Sequence, residues 1–134
     1  MAESLVDAGF LVALLSRRDG HHKWAALQAG QNPPPWRTCE PVLSEAFHLL
    51  GEAGVPVLGA LMRREALLLS FNLGEHREPV LRLMHKYRDV PMSLADACLV
   101  RMTEIAAEMV LLTTDADFRL YRRHGRQTIP CALP

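Results

Sequence analysis

The fold is decided by the stretch Met109-Val110-Leu111-Leu112-Thr113-Thr114-Asp115-Ala116-Asp117-Phe118. Its first four residues form an uninterrupted apolar run of the length of a strand that is buried on both faces, with a buried helix as the alternative. Two carboxylates, Asp115 and Asp117, follow where the next helix would begin. In open α/β sheets the functional site is built at the carboxyl ends of the strands. The stretch therefore predicts a buried strand that ends at such a site.

Similar apolar runs recur along the chain and alternate with segments of helical periodicity. The predicted strands are residues 4–6, 36–39, 66–71 and 109–113, with an edge strand at 127–130. The predicted helices are residues 10–16, 21–29, 41–52, 56–64, 74–87, 93–107 and 118–123. Residues 66–71 equally suit the extension of a helix. The alternation favours a parallel, doubly wound α/β sheet in a single domain of residues 1–134.

The composition is that of a globular chain, with 49% hydrophobic and 22% charged residues. Lys plus Arg and Asp plus Glu number 15 each, so a nucleic-acid partner would require a local basic region. The three cysteines lack CxxC spacing and are typical of reduced thiols. No segment approaches the roughly 18 uninterrupted apolar residues of a membrane span. We expect a cytoplasmic protein without a membrane partner.

Four acids occupy comparable positions. Asp7 follows the first predicted strand and Asp115 the fourth, so parallel strands place both at one edge of the sheet. Asp96 lies in the first turn of a helix, and Glu45 at the margin of an apolar helix face. Carboxylates gathered at one place raise each other's pKa unless a cation is present. Oxygen ligands suit Mg²⁺ or Mn²⁺, which can activate water beside a phosphate.

Each acid also has a structural interpretation. Asp7 and Asp115 are placed to cap the helices that follow them, and Asp117 to stabilise a helix dipole. Ser93-Leu94-Ala95-Asp96 matches a capping box. An arginine partner would satisfy Glu45 at its apolar margin. The functional interpretation therefore depends on the four acids as a set.

Two basic clusters follow predicted site acids along the chain. The first consists of Arg17, Arg18, His21, His22 and Lys23, and the second of Arg119, Arg122, Arg123, His124 and Arg126. The residues predicted to bind RNA are Arg17, Arg18, Lys23, Arg119, Arg122 and Arg123. A positive rim for RNA phosphates around an acidic pocket is one interpretation. A solvated surface with charge compensation at helix ends is the other.

Four segments have an order and separation that can be compared with known families. They are Leu5-Val6-Asp7, Ser44-Glu45, Leu94-Ala95-Asp96-Ala97 and Thr113-Thr114-Asp115-Ala116-Asp117-Phe118. Together they resemble a PIN domain, and specifically the compact toxin nucleases of VapBC-type toxin–antitoxin pairs. The last segment follows that family's Thr-x-Asp-x-Asp-Phe pattern and is the most specific match.

The resemblance implies a PIN-like three-layer α/β/α fold with a central parallel sheet of four to five strands. It implies a metal-dependent endoribonuclease that is inhibited by an antitoxin and forms a homodimer. Alternatives are a nuclease for RNA processing or DNA cleavage and a non-catalytic interaction module. The residues carried over are Asp7, Glu45, Asp96 and Asp115 around Mg²⁺ or Mn²⁺, with Asp117, Thr113 and Thr114 as auxiliary groups. The chain has Ala8-Gly9 where the family commonly has Ser or Thr, which implies a weaker hydrogen bond to Asp7.

Overall fold

The structure is a computed structural model that describes residues 3–106 and 108–134. Its strands are β1 (Glu3–Val6), β2 (Trp36–Thr38), β3 (Leu67–Leu69), β4 (Met109–Leu112), β5 (Arg122–Arg123), β6 (Gln127–Thr128) and β7 (Cys131–Ala132). Five of them form a parallel sheet in the order β3-β2-β1-β4-β7. The strands β5 and β6 pair separately as an antiparallel hairpin. The prediction of an α/β fold around a parallel sheet is confirmed.

Helices flank this sheet and connect its strands. They are α1 (Ala8–Leu15), α2 (His22–Gln31), α3 (Glu40–Leu50), α4 (Gly54–Arg63), α5 (Arg77–Lys86) and α6 (Leu94–Ile105). Short 3-10 turns lie at Gly51–Ala53, Leu73–Glu75 and Ala116–Arg119. None of the helices in the described ranges combines the length and the apolar character that a membrane crossing requires.

The two central strands explain where the site lies. Leu5 and Val6 of β1, and Leu111 and Leu112 of β4, are completely buried, as a strand covered on both faces requires. The register pairs Val6 with Leu112. The next residues along the two strands, Asp7 and Thr113, therefore emerge side by side at the carboxyl edge of the sheet.

The predictions for the last part of the chain were wrong. Residues 118–123 do not form a helix, because the 3-10 turn Ala116–Arg119 is followed directly by the β5–β6 hairpin. Gly125, with a φ of 83°, lies in the tight turn between these strands. The edge strand is β7 rather than residues 127–130, and the Pro130 carbonyl accepts from the Leu111 amide at 2.9 Å just before β7 begins.

Several helix boundaries also differ from the predicted ones. α2 continues through Gly30 to Gln31, and its Leu27 is 59% exposed. α3 ends at Leu50 because Gly51 takes a φ of 68°, which favours glycine. α5 begins only at Arg77, after a separate 3-10 turn. The predicted end of the last long helix, Ala107, lies outside the described residues.

Candidate active site

Asp7 joins β1 to α1 and has both of its carboxylate oxygens engaged. One oxygen, Oδ1, accepts a hydrogen bond from the Phe10 amide at 2.8 Å, so Asp7 is the N-cap of α1. The other, Oδ2, accepts from the hydroxyl of Thr113. Asp7 is only 7% exposed. The predicted cap is confirmed, and the same carboxylate is held at the edge of the sheet.

Burial changes the acidity of this carboxyl group. Desolvation raises the pKa of Asp7 from 3.8 to about 6. The hydrogen bonds from Thr113 and Phe10 act in the opposite direction, and the negative charges of Asp115 and Asp96 raise the pKa further. A nearby cation would therefore favour the ionised form of Asp7.

The loop after β4 connects Asp7 with the next acid. The Thr113 hydroxyl, which donates to Asp7, also accepts the Asp115 amide at 2.9 Å. Asp115 in turn caps the following 3-10 turn by accepting the Asp117 amide at 2.9 Å. Of the two threonines carried over as polar supports, Thr113 is thus the one that contacts site acids through hydrogen bonds.

Asp96 reaches the same place from the start of α6. The predicted capping box is confirmed, because Asp96 donates its amide to Ser93 Oγ at 3.0 Å and accepts the Ser93 amide at 3.3 Å. The hydroxyl of Tyr121 donates to Asp96 Oδ2 at 3.2 Å. Burial raises the pKa of Asp96, the charge of Asp115 raises it further, and the bonds from Ser93 and Tyr121 oppose this.

No sequence pattern pointed to Tyr121 as part of the site. It lies 25 residues from Asp96, and only the packing of the C-terminal segment against α6 brings the two together. Its ring is completely buried, with edge-to-face contacts to Tyr87 and Phe118 at 5.1 Å and 5.3 Å between ring centroids.

Glu45 lies on α3 and is exposed. The expectation that it would need a partner at a buried margin was wrong, because water solvates its carboxylate. No hydrogen bond or ion pair joins its side chain to another residue of the described ranges. It nevertheless lines the same cleft as the other three acids.

The four acids share a cleft of about 140 Å³ at the carboxyl ends of β1 and β4. The acidic residues that line it are Asp7, Glu45, Asp96 and Asp115. Asp117 is half-buried and does not line the cleft. Within residues 3–106 and 108–134, no three or more His, Cys, Asp or Glu side chains form a ready-made metal-binding group. The arrangement is a cluster of carboxylates around an open space.

The Ala8-Gly9 departure is compensated by the residues around it. Phe10 and Thr113 already donate to both oxygens of Asp7, so a hydroxyl after Asp7 is not required to hold this carboxylate. A Cβ at position 9 would collide with Oγ1 of Thr114, which lines the cleft. Glycine therefore allows the loop after β4 to approach α1.

The basic residues predicted to form a rim lie elsewhere. Arg17, Arg18, Lys23 and Arg119 are exposed, whereas Arg122 and Arg123 are half-buried. None of the six lines the acidic cleft. The Arg122 guanidinium donates to the carbonyls of Arg119 and Tyr121, at 2.6 and 2.9 Å. Their part in RNA binding stays a prediction.

Comparison with known families gives one assignment. A model of the PIN domain matches residues 4–123, a range that contains all four acids of the cleft. Curated proteins provide no significant match. PIN domains are generally nucleases, and the match covers both the parallel sheet around β1 and β4 and the helix that bears Asp96. The chain therefore belongs to the PIN domain family.

Proposed function

We propose that this chain is a Mg²⁺- or Mn²⁺-dependent endoribonuclease. The observation that carries the proposal is the convergence of Asp7, Glu45, Asp96 and Asp115 on one cleft. The nuclease-type fold of the family and the typical use of divalent metals by PIN domains support it. The four acids come from three helix starts or loops and one helix interior, so local capping alone does not explain why they meet.

The donor set fits a hard divalent cation. Carboxylate oxygens are the ligands that Mg²⁺ and Mn²⁺ prefer, and these four would hold the ion. Burial first, and then the charge of Asp115, raises the pKa of both Asp7 and Asp96, and a bound cation would oppose both effects. When bound, such an ion supplies a Lewis acid that lowers the pKa of water and stabilises charge on a phosphate.

The protein side chains would divide the remaining tasks. Asp7 is fixed at both oxygens and provides a rigid reference point. Tyr121 and Ser93 orient Asp96, and Thr113 couples the positions of Asp7 and Asp115. Glu45 is exposed, so its rotamers are free to adjust to a substrate. These contacts hold the carboxylates that would orient the attacking water.

Titration calorimetry with Mn²⁺ tests the metal site. We expect saturable binding to the wild-type protein and at least tenfold weaker binding to Asp96→Asn, because one carboxylate charge is lost. Asp89→Asn is the matched control, since Asp89 is exposed and does not line the cleft. Equal binding by all three proteins, or none by the wild type, would contradict the proposal and favour a non-catalytic interaction module.

The Tyr121→Phe variant tests how Asp96 is supported. Removing the hydroxyl removes a donor that lowers the pKa of Asp96, so this carboxyl should ionise at higher pH. We expect the acidic limb of the pH–rate profile to move upward and cleavage at neutral pH to fall by about threefold to tenfold. The fold should persist because the ring contacts remain. An unchanged pH profile would exclude this role for Tyr121.

The finer assignment is that of a VapC-type toxin with an antitoxin partner and a homodimeric state. It is supported by the sequence resemblance and by large apolar side chains that are exposed on α3 and α4. These are Leu49, Val55 and Val57, at 56%, 58% and 42% exposure. Expression of the chain alone should arrest growth, and co-expression of a small neighbouring reading frame should restore it. Normal growth of cells that express the chain alone would contradict the toxin assignment.

The substrate class follows from a direct comparison. We expect messenger RNA fragments or transfer RNA to be cleaved and single-stranded DNA of equal sequence to survive. Preferential cleavage of DNA would support the alternative of a DNA nuclease outside a toxin–antitoxin system.

A further inference from the structure

A second cavity, of about 320 Å³, lies between α5, α6 and the β5–β6 hairpin. We refer to it as the cationic cleft. Its charged lining residues are Arg82, Lys86, Arg101, Glu104, Arg122 and His124. It shares no lining residue with the acidic cleft. Although the chain carries no net charge, its two clefts differ in charge: carboxylates line the acidic cleft, and four residues of the cationic cleft are Arg or Lys.

The positive charges in the cationic cleft are only partly balanced. Arg101 forms an ion pair with Glu104 at 3.3 Å. The second oxygen of Glu104 is occupied by the amide of His124 at 2.7 Å. In the part of the chain that the structure describes, no carboxylate lies within ion-pair distance of Arg82, Lys86 or Arg122. Like charges facing one cavity repel each other, and an anion in the cavity would relieve this repulsion.

The wall of the cationic cleft is held in place by hydrogen bonds that leave the charges of Lys86 and Arg122 without a carboxylate partner among the described residues. Lys86 donates to the carbonyl of Gly125 at 3.1 Å, which ties α5 to the hairpin turn. The amide of Arg122 donates to the Tyr87 hydroxyl at 2.9 Å. The hairpin is thereby fixed to the end of α5, and the cations are arranged before any ligand binds.

The two clefts lie against the same helix, α6, and the segment at Tyr121 and Arg122 contacts both. Tyr121, whose hydroxyl contacts Asp96, directly precedes Arg122 of the cationic cleft. Asp96 and Arg101 lie five positions apart on α6, which is about 7.5 Å along the helix axis and about 140° around it, so the two clefts open on different sides of this helix. One strand of a nucleic-acid duplex carries a phosphate about every 3.4 Å along its axis. A strand that passes over Asp96 and continues around α6 would thus bring a phosphate several nucleotides away to the cationic cleft.

We propose that the cationic cleft binds backbone phosphates of the substrate RNA a few nucleotides from the cleaved bond. This inference rests on the proposed nuclease function, which it extends by naming where the strand runs. Arg82 and Lys86 lie one helical turn apart on α5, so they present two charges to one strand. Phosphate contacts carry no sequence information, so the cleft positions RNA without selecting it.

RNA binding measured by fluorescence anisotropy tests this inference. The probe is a labelled 12-nucleotide RNA, and its affinity for the protein is measured in chelator at salt concentrations from low to high. The test variant is Arg82→Gln/Lys86→Gln, and the control is Arg63→Gln/Arg64→Gln. Both remove two exposed positive charges, and the control residues line neither cleft. We expect the test variant to bind RNA at least tenfold more weakly. The slope of its log binding constant against log salt concentration should be about 1.4 smaller in magnitude, and the control should bind RNA as the wild type does. Arg82→Gln alone, which keeps the bond from Lys86 to Gly125, should show about half the change in slope.

The other outcomes overturn the inference. Equal losses in both double variants would show a general field effect, and no loss in either would show that the cationic cleft does not contact RNA. Absence of RNA binding by the wild type would also exclude a strand at this place. Each measurement omits metal and cleavage, so the proposed nuclease activity is tested separately. In a cleavage assay with metal, the KM of Arg82→Gln/Lys86→Gln should rise about tenfold while kcat stays nearly unchanged. This is the result expected when an interaction that is equally strong in the ground state and the transition state is lost.

Discussion

Replacement of Asp7 by Asn is expected to abolish RNA cleavage and, at the same time, to stabilise the metal-free protein. Asn is as good an N-cap as Asp and can still accept the amide of Phe10. It removes a buried negative charge whose pKa is raised to about 6 by desolvation. Loss of this charge also removes a metal ligand, so we expect at least a thousandfold lower rate. Activity and stability should therefore change in opposite directions.

The gain in stability should depend on pH. Between the unfolded pKa of 3.8 and the folded value of about 6, the folded protein binds more protons than the unfolded chain. The stability of the wild type therefore falls as the pH rises through this interval and stays low above it. Asp7→Asn avoids this loss, so its advantage should reach about 1–3 kcal/mol above pH 6 and vanish below about pH 4. The lower end of this range allows for a weaker hydrogen bond between Thr113 and the Asn side chain.

Urea denaturation in chelator, at pH 4 and pH 7.5, measures this difference. Asp89→Asn serves as the control, because Asp89 is an exposed acid outside the acidic cleft and should show no such dependence. The account of Asp7 would be contradicted if Asp7→Asn were less stable than wild type at pH 7.5. It would also be contradicted if the substitution changed the free energy of unfolding equally at both pH values.

Replacement of Thr113 by Val is expected to have the second largest effect. The two side chains have the same shape, but Thr113 is completely buried and its hydroxyl both donates to Asp7 and accepts the Asp115 amide at 2.9 Å. Losing both bonds should lower the free energy of unfolding by about 2–4 kcal/mol. Because the lost donor lowers the pKa of Asp7, the destabilisation should be larger at pH 7.5 than at pH 4. Thermal or urea denaturation at both pH values measures it.

Thr114→Val is the matched control for this variant. Thr114 is half-buried, lies against Gly9 and takes no part in the bonds between Asp7 and Asp115. We expect its stability to change by less than about 1 kcal/mol. Equal destabilisation by the two substitutions would show that the threonines act through packing rather than through the bonds of Thr113.

The elements that the sequence predicted correctly are those governed by local rules. The apolar run of β4 indicated a strand because both faces of a central parallel strand are buried. The capping box at Ser93 and the cap at Asp7 follow from the side chains next to a helix start. The parallel pairing of β1 and β4 then places Asp7 and Asp115 at one edge of the sheet.

The features that the sequence did not predict depend on tertiary packing. β5 and β6 have two residues each, too few for a periodic signal, and their pairing depends on the turn at Gly125. Periodicity identified one apolar face of α3 but not how much of it is covered, and Leu49 is 56% exposed. The contact of Tyr121 with Asp96 and the meeting of Arg82 with Arg122 join distant segments.

Cleavage of an end-labelled single-stranded RNA in the presence of Mn²⁺ tests the central claim most directly. The comparison is between wild type and Asp7→Asn/Asp96→Asn, with matching circular dichroism spectra to establish that both are folded. We expect the wild type to cleave with Mn²⁺ and to stop in chelator, and the double variant to be inactive in both. A double variant that cleaves at the wild-type rate would contradict the assignment of the acidic cleft as the active site.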